Sequence, residues 1–276
     1  MNYAKKIIAP IVSALLFAGL FSGCGPESQP AAAEKKAPLK VATNATYVPF
    51  EFKGDTDADY QGFEIDIIRG VAKILGRDIE FRNIPFSGLI PALSTNEVDL
   101  AASGMTVTGE RMNKLLFSSP FYESQLVVMT KKNRTNINSP QDLTGHTVAV
   151  QVATIAASYA ETINGAQLKQ FDSNAESLMD LKIGGVDAVI TDRPVADYFA
   201  AKQSEENIKV IPATDAPKQY FSFATNKKST QLMNDIDKAI AQMKETGEFA
   251  RIYKKWFAQE PPQMPITPEE AVQLSK

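Results

Sequence analysis

At 276 residues, with 44% hydrophobic and 22% charged residues, the chain has the composition of a globular protein of one large or two ordinary domains. A net charge of -3 without a basic stripe argues against a nucleic-acid partner. One His and one Cys argue against metal chemistry, so no metal and no cofactor is expected.

The N-terminus reads as an address. Lys5 and Lys6 precede an apolar run from Ile7 to Leu20, then Phe21-Ser22-Gly23-Cys24. A positive start, an apolar stretch too short for a comfortable membrane span and a small-residue cleavage site make a secretory signal over 1–23. Cys directly after Ser-Gly resembles a bacterial lipoprotein signal, which implies lipidation at Cys24 and a lipid anchor to a membrane. The alternative is a plain secretory signal with an incidental Cys. The lone Cys has no internal disulfide partner. Residues 24–38, rich in Pro, Ala, Glu, Lys and Ser, read as a flexible tether.

The folded part is expected from Leu39. Strands are predicted at 39–43, 78–82 and 98–103, with an extended piece at 48–52. An amphipathic helix is predicted around Ile65, Ile68, Ala72 and Leu75, and another over 87–93, entered through Phe86. Thr108 is a helix N-cap candidate. A strand-like run at 126–129 precedes Ser139-Pro140-Gln141-Asp142, a capped helix start. Strands at 146–150 and 186–191 then alternate with helices from Thr154 and over 175–182. Alternation predicts mostly parallel sheets covered by helices. The helix, Val-Asp and apolar strand of 91–103 recur at 178–191, so two similar α/β lobes are expected. The apolar run at 221–224 and the helices of 231–257 return to the first lobe, and two crossings make a hinge near 124–127 and 217–220. The expected division is 39–124 with 221–259, then 125–220, with a peripheral C-terminal extension at 260–276.

In open α/β sheets, ligands bind outside the carboxyl ends of the strands. Those ends offer Asn44 and Tyr47; Ser103, Gly104 and Thr106 with Arg111 one turn on; Gln151 and Thr154; and Thr191 with Asp192. Arg111 suits a carboxylate held by two parallel hydrogen bonds, Gly104 permits close backbone approach, and backbone N–H groups at Thr154 and Ile155 suit the same anion. Asp192 supplies the opposite charge from the other lobe, so the pair fits the zwitterionic end of an amino acid. Each residue also has a plain reading: Arg111 as a solvated helix residue, Asp192 as a cap, Tyr47 and Phe86 as core, Asp66 as a cap or scaffold residue. Asp55 to Asp59 starts like a calcium loop but has Tyr60 where glycine is required, and reads as a polar hairpin loop.

The chain resembles the bacterial solute-binding proteins for polar amino acids that feed ABC transporters. The resemblance runs from about Leu39 to Phe257. It is carried by TNATYVPFEF at 43–52, GFEID at 62–66, FSGLIPAL at 86–93, VDLAASGMTVTGER at 98–111, SPQDLTGHTVAVQ at 139–151 and GEFARIYKKWF at 247–257. It implies a type II periplasmic-binding-protein fold, with two three-layer α/β/α lobes joined by a two-strand hinge. It implies an ABC permease as partner, a monomer, and a place in the cell envelope exposed to periplasm or exterior. It assigns the ligand's α-carboxylate to Arg111, its α-ammonium to Asp192, the same head group to Ser103, Gly104 and Thr106, and its side chain to Tyr47 and Phe86, with Asn44 reading the tip. The PFEF run is also similar to arginine binders in which Asn, Glu (here Glu51) and aromatic faces hold a guanidinium. Arginine and glutamine are the ligands favoured. An enzyme on the same fold, dehydratase-like, or a periplasmic sensor is the alternative.

Overall fold

LKVAT forms the first strand, β1 (Leu39–Thr43), with four of its five residues buried. Burial on both faces is what a helix-covered parallel strand requires. The computed structural model describes residues 36–202 and 208–275; the leader, Cys24 and the tether as far as residue 35 lie outside the described residues. A small sheet follows: β2 (Thr46–Tyr47), β3 (Glu51–Lys53) and β4 (Tyr60–Gln61). Residues 55–59 turn between β3 and β4, the place of the expected polar hairpin loop. Helix α1 (Phe63–Leu75) buries Phe63, Ile65, Ile67, Ile68 and Val71 and stops at Gly76, whose φ of 64° suits a C-terminal cap. Next come β5 (Ile79–Asn83), a 3-10 turn at Phe86–Gly88, α2 (Leu89–Ser94), β6 (Leu100–Ala101), α3 (Gly109–Lys114) and β7 (Leu115–Phe117).

The chain then crosses. Strand β8 (Tyr122–Ser124) leads straight into β9 (Leu126–Lys131). At the expected capped helix start Ser139 and Asp142 form a capping box, but around a single 3-10 turn, Pro140–Leu143. The second lobe continues as β10 (Thr147–Gln151), α4 (Ile155–Glu161), β11 (Gln167–Phe171), α5 (Asn174–Ile183), β12 (Ala188–Asp192), α6 (Arg193–Lys202) and β13 (Ile208–Pro212). Strand β14 (Gln219–Phe221) crosses back beside β8 and leads into β15 (Ala224–Asn226). Helices α7 (Thr230–Glu245), α8 (Glu248–Phe257) and α9 (Pro268–Leu274) finish the chain.

The two main sheets have matching designs, β5-β1-β6-β15-β7 and β11-β10-β12-β9-β13. In each, one strand runs against the rest: β15 is antiparallel to β6 and β7, and β9 to β12 and β13. These are the strands fed directly by the crossing pair. No crossover helix turns them to face the same way as their neighbours, so the sheets are less uniformly parallel than helix–strand alternation suggests.

An aromatic cluster ties the crossing strands to the first lobe. The Phe50 ring lies 4.8 Å from Tyr122 and 5.2 Å from Phe221, and Phe63 lies 5.4 Å from Tyr253 and 5.0 Å from Phe257. Such rings prefer these edge-on arrangements and contribute through area buried as well. Asp66 proves to be a scaffold residue, accepting from Lys255 Nζ at 2.7 Å and Trp256 Nε1 at 2.8 Å.

Two expectations need correcting. The last tether residues, 36–38, are fastened to the end of α1: Lys36 Nζ donates to the Leu75 carbonyl, and Arg77 donates to those of Ala37 and Pro38. The C-terminal extension is not merely peripheral either. Ala271 is wholly buried in the cluster containing Leu89, Met105 and Tyr220. A helix that packs only Ala271 and Val272 shows almost no apolar stripe in sequence.

Candidate functional site

The Thr108 hydroxyl accepts the Arg111 N–H at 3.1 Å and so starts α3. That cap places Arg111 in the helix's first turn, with its side chain bent inward and 8% exposed. Its guanidinium lies 5.5 Å from the Phe86 ring. Nη1 donates to the Thr106 carbonyl at 2.9 Å, and Nη2 to the Ala153 carbonyl at 3.0 Å. Ala153 belongs to the second lobe, so this bond crosses the cleft. Burial lowers the Arg111 pKa to about 10, which leaves it a cation at neutral pH.

Asp192 ends β12 on the opposite side. Oδ1 accepts from Ser124 Oγ at 2.5 Å and from Gln219 Nε2 at 2.9 Å, and Oδ2 accepts from the Tyr47 hydroxyl. Burial raises its pKa to about 6, and the Ser124 and Tyr47 donors act against that rise. Asp192 is therefore largely ionised at neutral pH.

Two further carboxyls lie beneath the first lobe's loop. Glu51, on β3, accepts from Ser103 Oγ at 3.1 Å, and Ser103 Oγ in turn accepts the Asn44 N–H at 2.9 Å. Glu64, on α1, accepts the Gly104 N–H at 2.9 Å. Burial first, then the neighbouring Glu64, holds the Glu51 pKa well above the carboxylate range. Burial pushes Glu64 up to about 8, against the lowering effect of the Gly104 N–H. Gly104 has φ 56°, and a Cβ there would come within 3.2 Å of Tyr47 Cε1. The backbone thus turns in a conformation that favours glycine, under an aromatic ring.

The second lobe adds polar groups. Gln151 Nε2 donates across the cleft to Asn44 Oδ1 at 2.9 Å and within its lobe to the Asp172 carbonyl at 3.0 Å. The Thr154 hydroxyl caps α4 by accepting the Ala157 N–H at 3.2 Å. Thr191 Oγ1 donates to Asn174 Oδ1 at 2.9 Å.

All thirteen pocket residues expected from sequence line one pocket between the lobes: Asn44, Tyr47, Glu51, Phe86, Ser103, Gly104, Thr106, Arg111, Gln151, Thr154, Ile155, Thr191 and Asp192. Its atom-free space, counting the part open to solvent, is about 460 Å³. Ala156, Asn174, Ile190 and Gln219 complete the lining and were not expected. Gln219 lies within the predicted hinge segment, so the segment was legible but the inward direction of its side chain was not. Asn174, first residue of α5, carried no signal beyond a helix start. Cys24 lies outside the described residues. Among the described residues no cluster of His, Cys, Asp and Glu is arranged to hold a metal, and no helix is long and apolar enough to cross a membrane.

Two α/β lobes joined by a pair of crossing strands, with a buried cation and a buried anion lining one cleft, define a two-lobed solute-binding protein. Residues 39–259 match the bacterial extracellular solute-binding proteins, family 3, and the chain belongs to that family. It is 31% identical over 260 residues to the arginine-binding extracellular protein ArtP of Bacillus subtilis, covering 93% of this chain and 99% of that one. Among solved structures it is similar to an ancestral arginine-binding protein bound to arginine, with a TM-score of 0.76, 33% identity, and coverage of 81% of this chain and 100% of the other. It is likewise similar to an ancestral arginine-binding protein bound to glutamine, with a TM-score of 0.77, 34% identity and coverage of 82% and 100%.

Proposed function

We propose that the chain is the extracytoplasmic substrate-binding component of an amino acid ABC importer, lipid-anchored through Cys24, which takes up a polar L-amino acid and delivers it to a membrane permease. The observation that carries this reading is the meeting of Arg111 and Asp192, one from each lobe, in the lining of a single pocket. Arg111 takes the α-carboxylate and Asp192 the α-ammonium. Ser103, Gly104 and Thr106 surround the head group, Thr154 and Ile155 approach it from the second lobe, and Tyr47 and Phe86 flank the side chain.

Arginine and glutamine are the ligands favoured. Asn44, Gln151 and Thr191 offer hydrogen bonds that suit either. Glu51 adds a buried carboxyl whose Oε2 has no partner among the described residues, and a guanidinium would supply one. Among the described residues Arg111 is the one cation in the pocket lining, so an acidic ligand's second carboxylate would find no second cation there. The similarity to binding proteins for arginine and to a protein bound to glutamine supports the same choice.

A binding role is favoured over catalysis. Asp192, the acid best placed to move a proton, accepts three hydrogen bonds that hold it as a carboxylate. The deciding experiment is a thermal-shift screen of the soluble part against the twenty amino acids, followed by calorimetry. A specific ligand raises the melting point by mass action. No shift with any of the twenty would overturn the reading. Fractionation of cells carrying Cys24→Ala tests the anchor: the variant should leave the membrane fraction.

A further inference from the structure

Strands β8 and β14 pair with Gln219 directly opposite Ser124. Both side chains point to one atom: Ser124 Oγ and Gln219 Nε2 donate to Oδ1 of Asp192. Gln219 reaches further. Its Oε1 accepts from Thr106 Oγ1 at 2.7 Å, and Thr106 belongs to the loop whose carbonyl holds Arg111. Gln219 is 2% exposed and Ser124 4%, so neither bond is shared with bulk water. An ionised carboxylate only accepts, which fixes the amide with its nitrogen toward Asp192 and its oxygen toward Thr106.

We propose that Gln219 and Ser124 are positioning residues for ligand capture: one from each crossing strand, they aim the Asp192 carboxylate into the pocket and couple it to the Arg111 side of the site. This rests on the reading that Asp192 holds the ligand's ammonium. The crossing strands thereby do more than connect the lobes. Any change in their pairing moves the anion that the ligand must meet, and through Thr106 it moves the loop that holds the cation.

The geometry has an electrostatic consequence. Each N–H or O–H aimed at Oδ1 favours the charged form of Asp192 against the penalty of burial. The titratable and charged groups facing Asp192 are Tyr47 from β2, Glu51 from β3 and Tyr122 from β8, with Arg111 of α3 lining the same pocket. Replacing Gln219 or Ser124 leaves all four in place. Loss of the Ser124 donor therefore raises the Asp192 titration from about 6, and loss of the Gln219 N–H aimed at the same oxygen acts in the same direction by its geometry, whereas a general loosening of the fold has no reason to do so.

The test uses Gln219→Met, which keeps length and volume but removes both bonds, and Ser124→Ala, with Asp192→Asn as the control. Affinity for L-arginine and L-glutamine is measured by calorimetry from pH 5 to 8. The Asp192 carboxyl is titrated by carbon NMR in the ligand-free protein and recognised by its loss in Asp192→Asn. Each positioning variant should weaken binding at least about tenfold at pH 7.5, the effect of one charge-assisted bond. Each should also shift the Asp192 titration and the acid limb of binding upward. If Gln219→Met does not fold, Ser124→Ala carries the same test. Should Asp192→Asn abolish binding while both variants match the wild type across the pH range, the positioning role is overturned. It is overturned too if affinity falls while the Asp192 titration stays put. Unchanged binding in Asp192→Asn would instead remove the ammonium assignment itself.

Discussion

Arg111→Ala separates binding from folding. The guanidinium has five N–H donors. Nη1 and Nη2 each donate one bond, to the carbonyls of Thr106 and Ala153. One N–H remains on each of these nitrogens for a carboxylate. Two charge-assisted bonds at roughly 1.5–3 kcal/mol each come to about 3–6 kcal/mol, or about two to four decades in Kd. The ligand-free fold should feel much less. Arg111 is a buried cation held by carbonyls, and its pKa is pulled down by that burial, so its removal relieves a desolvation penalty while leaving two carbonyls short of a donor. The N-cap survives, because Thr108 accepts the backbone N–H of residue 111. Calorimetry on the ligand found by the screen, with a thermal melt of the ligand-free variant, measures both sides. A Kd within about threefold of wild type, in a variant that melts normally, would refute the head-group assignment.

Other changes have signs that follow from the same contacts. The Glu64 pKa is raised when folded, from 4.5 to about 8, so its stabilising contribution is complete below about pH 4.5 and lost as pH rises through about 8. Glu64→Gln keeps the acceptor for the Gly104 N–H and removes the titration. It should flatten the fall in melting temperature between pH 5 and 9 and melt above wild type at pH 9; a parallel pair of curves would show that the burial penalty lies elsewhere. Gly104→Ala must hold φ 56° with a Cβ 3.2 Å from the Tyr47 ring. The backbone alone costs about 1–2 kcal/mol, and displacement of Tyr47 should weaken binding about tenfold or more, read by calorimetry. Asn44→Asp places a carboxylate where Gln151 and Thr46 donate but sets an oxygen against the Ile84 carbonyl that Asn44 Nδ2 now satisfies. Competition assays should show arginine gaining on glutamine, with a lower melting point in the ligand-free variant.

The parts of the site legible in sequence are those whose direction follows from local rules. Residues at the carboxyl ends of β1, β6, β10 and β12 must face the cleft once the sheets form, so Asn44, Ser103, Gln151 and Asp192 could be placed from alternation alone. Arg111 needed only the Thr108 cap. Gln219 could not be placed, because which face of β14 it occupies depends on pairing with β8, a strand 95 positions earlier by the register Gln219↔Ser124. Of the edge strands, β5 was expected, but β7, β11 and β13 were not. In β11 none of the five residues of QLKQF is fully buried, so no apolar run marks it. The helices expected over 231–257 are α7 and α8, and they part where Gly247 adopts φ 76°.

Three hydrogen bonds across the cleft bear on ligand selection under the proposed binding role. Tyr47 donates to Asp192, Gln151 to Asn44 and Arg111 to Ala153. Each joins a group from one lobe to a group from the other, and each uses at least one group that would read the ligand. An amino acid that settles between the lobes must replace these bonds or add to them, because a reading group left unpaired here is buried. Under the proposed assignment the α-ammonium would compete with the Tyr47 hydroxyl for Asp192, whereas the carboxylate would take donors on Arg111 that the carbonyls leave over. On the same assignment Asn44, Gln151 and Glu51 would sort ligand side chains: one with donors would suit Asn44 Oδ1 and Glu51, and an aliphatic one would break the Gln151 bond without replacing it. Affinity would then report the difference between two sets of hydrogen bonds, and an open–closed balance would shift only by that difference.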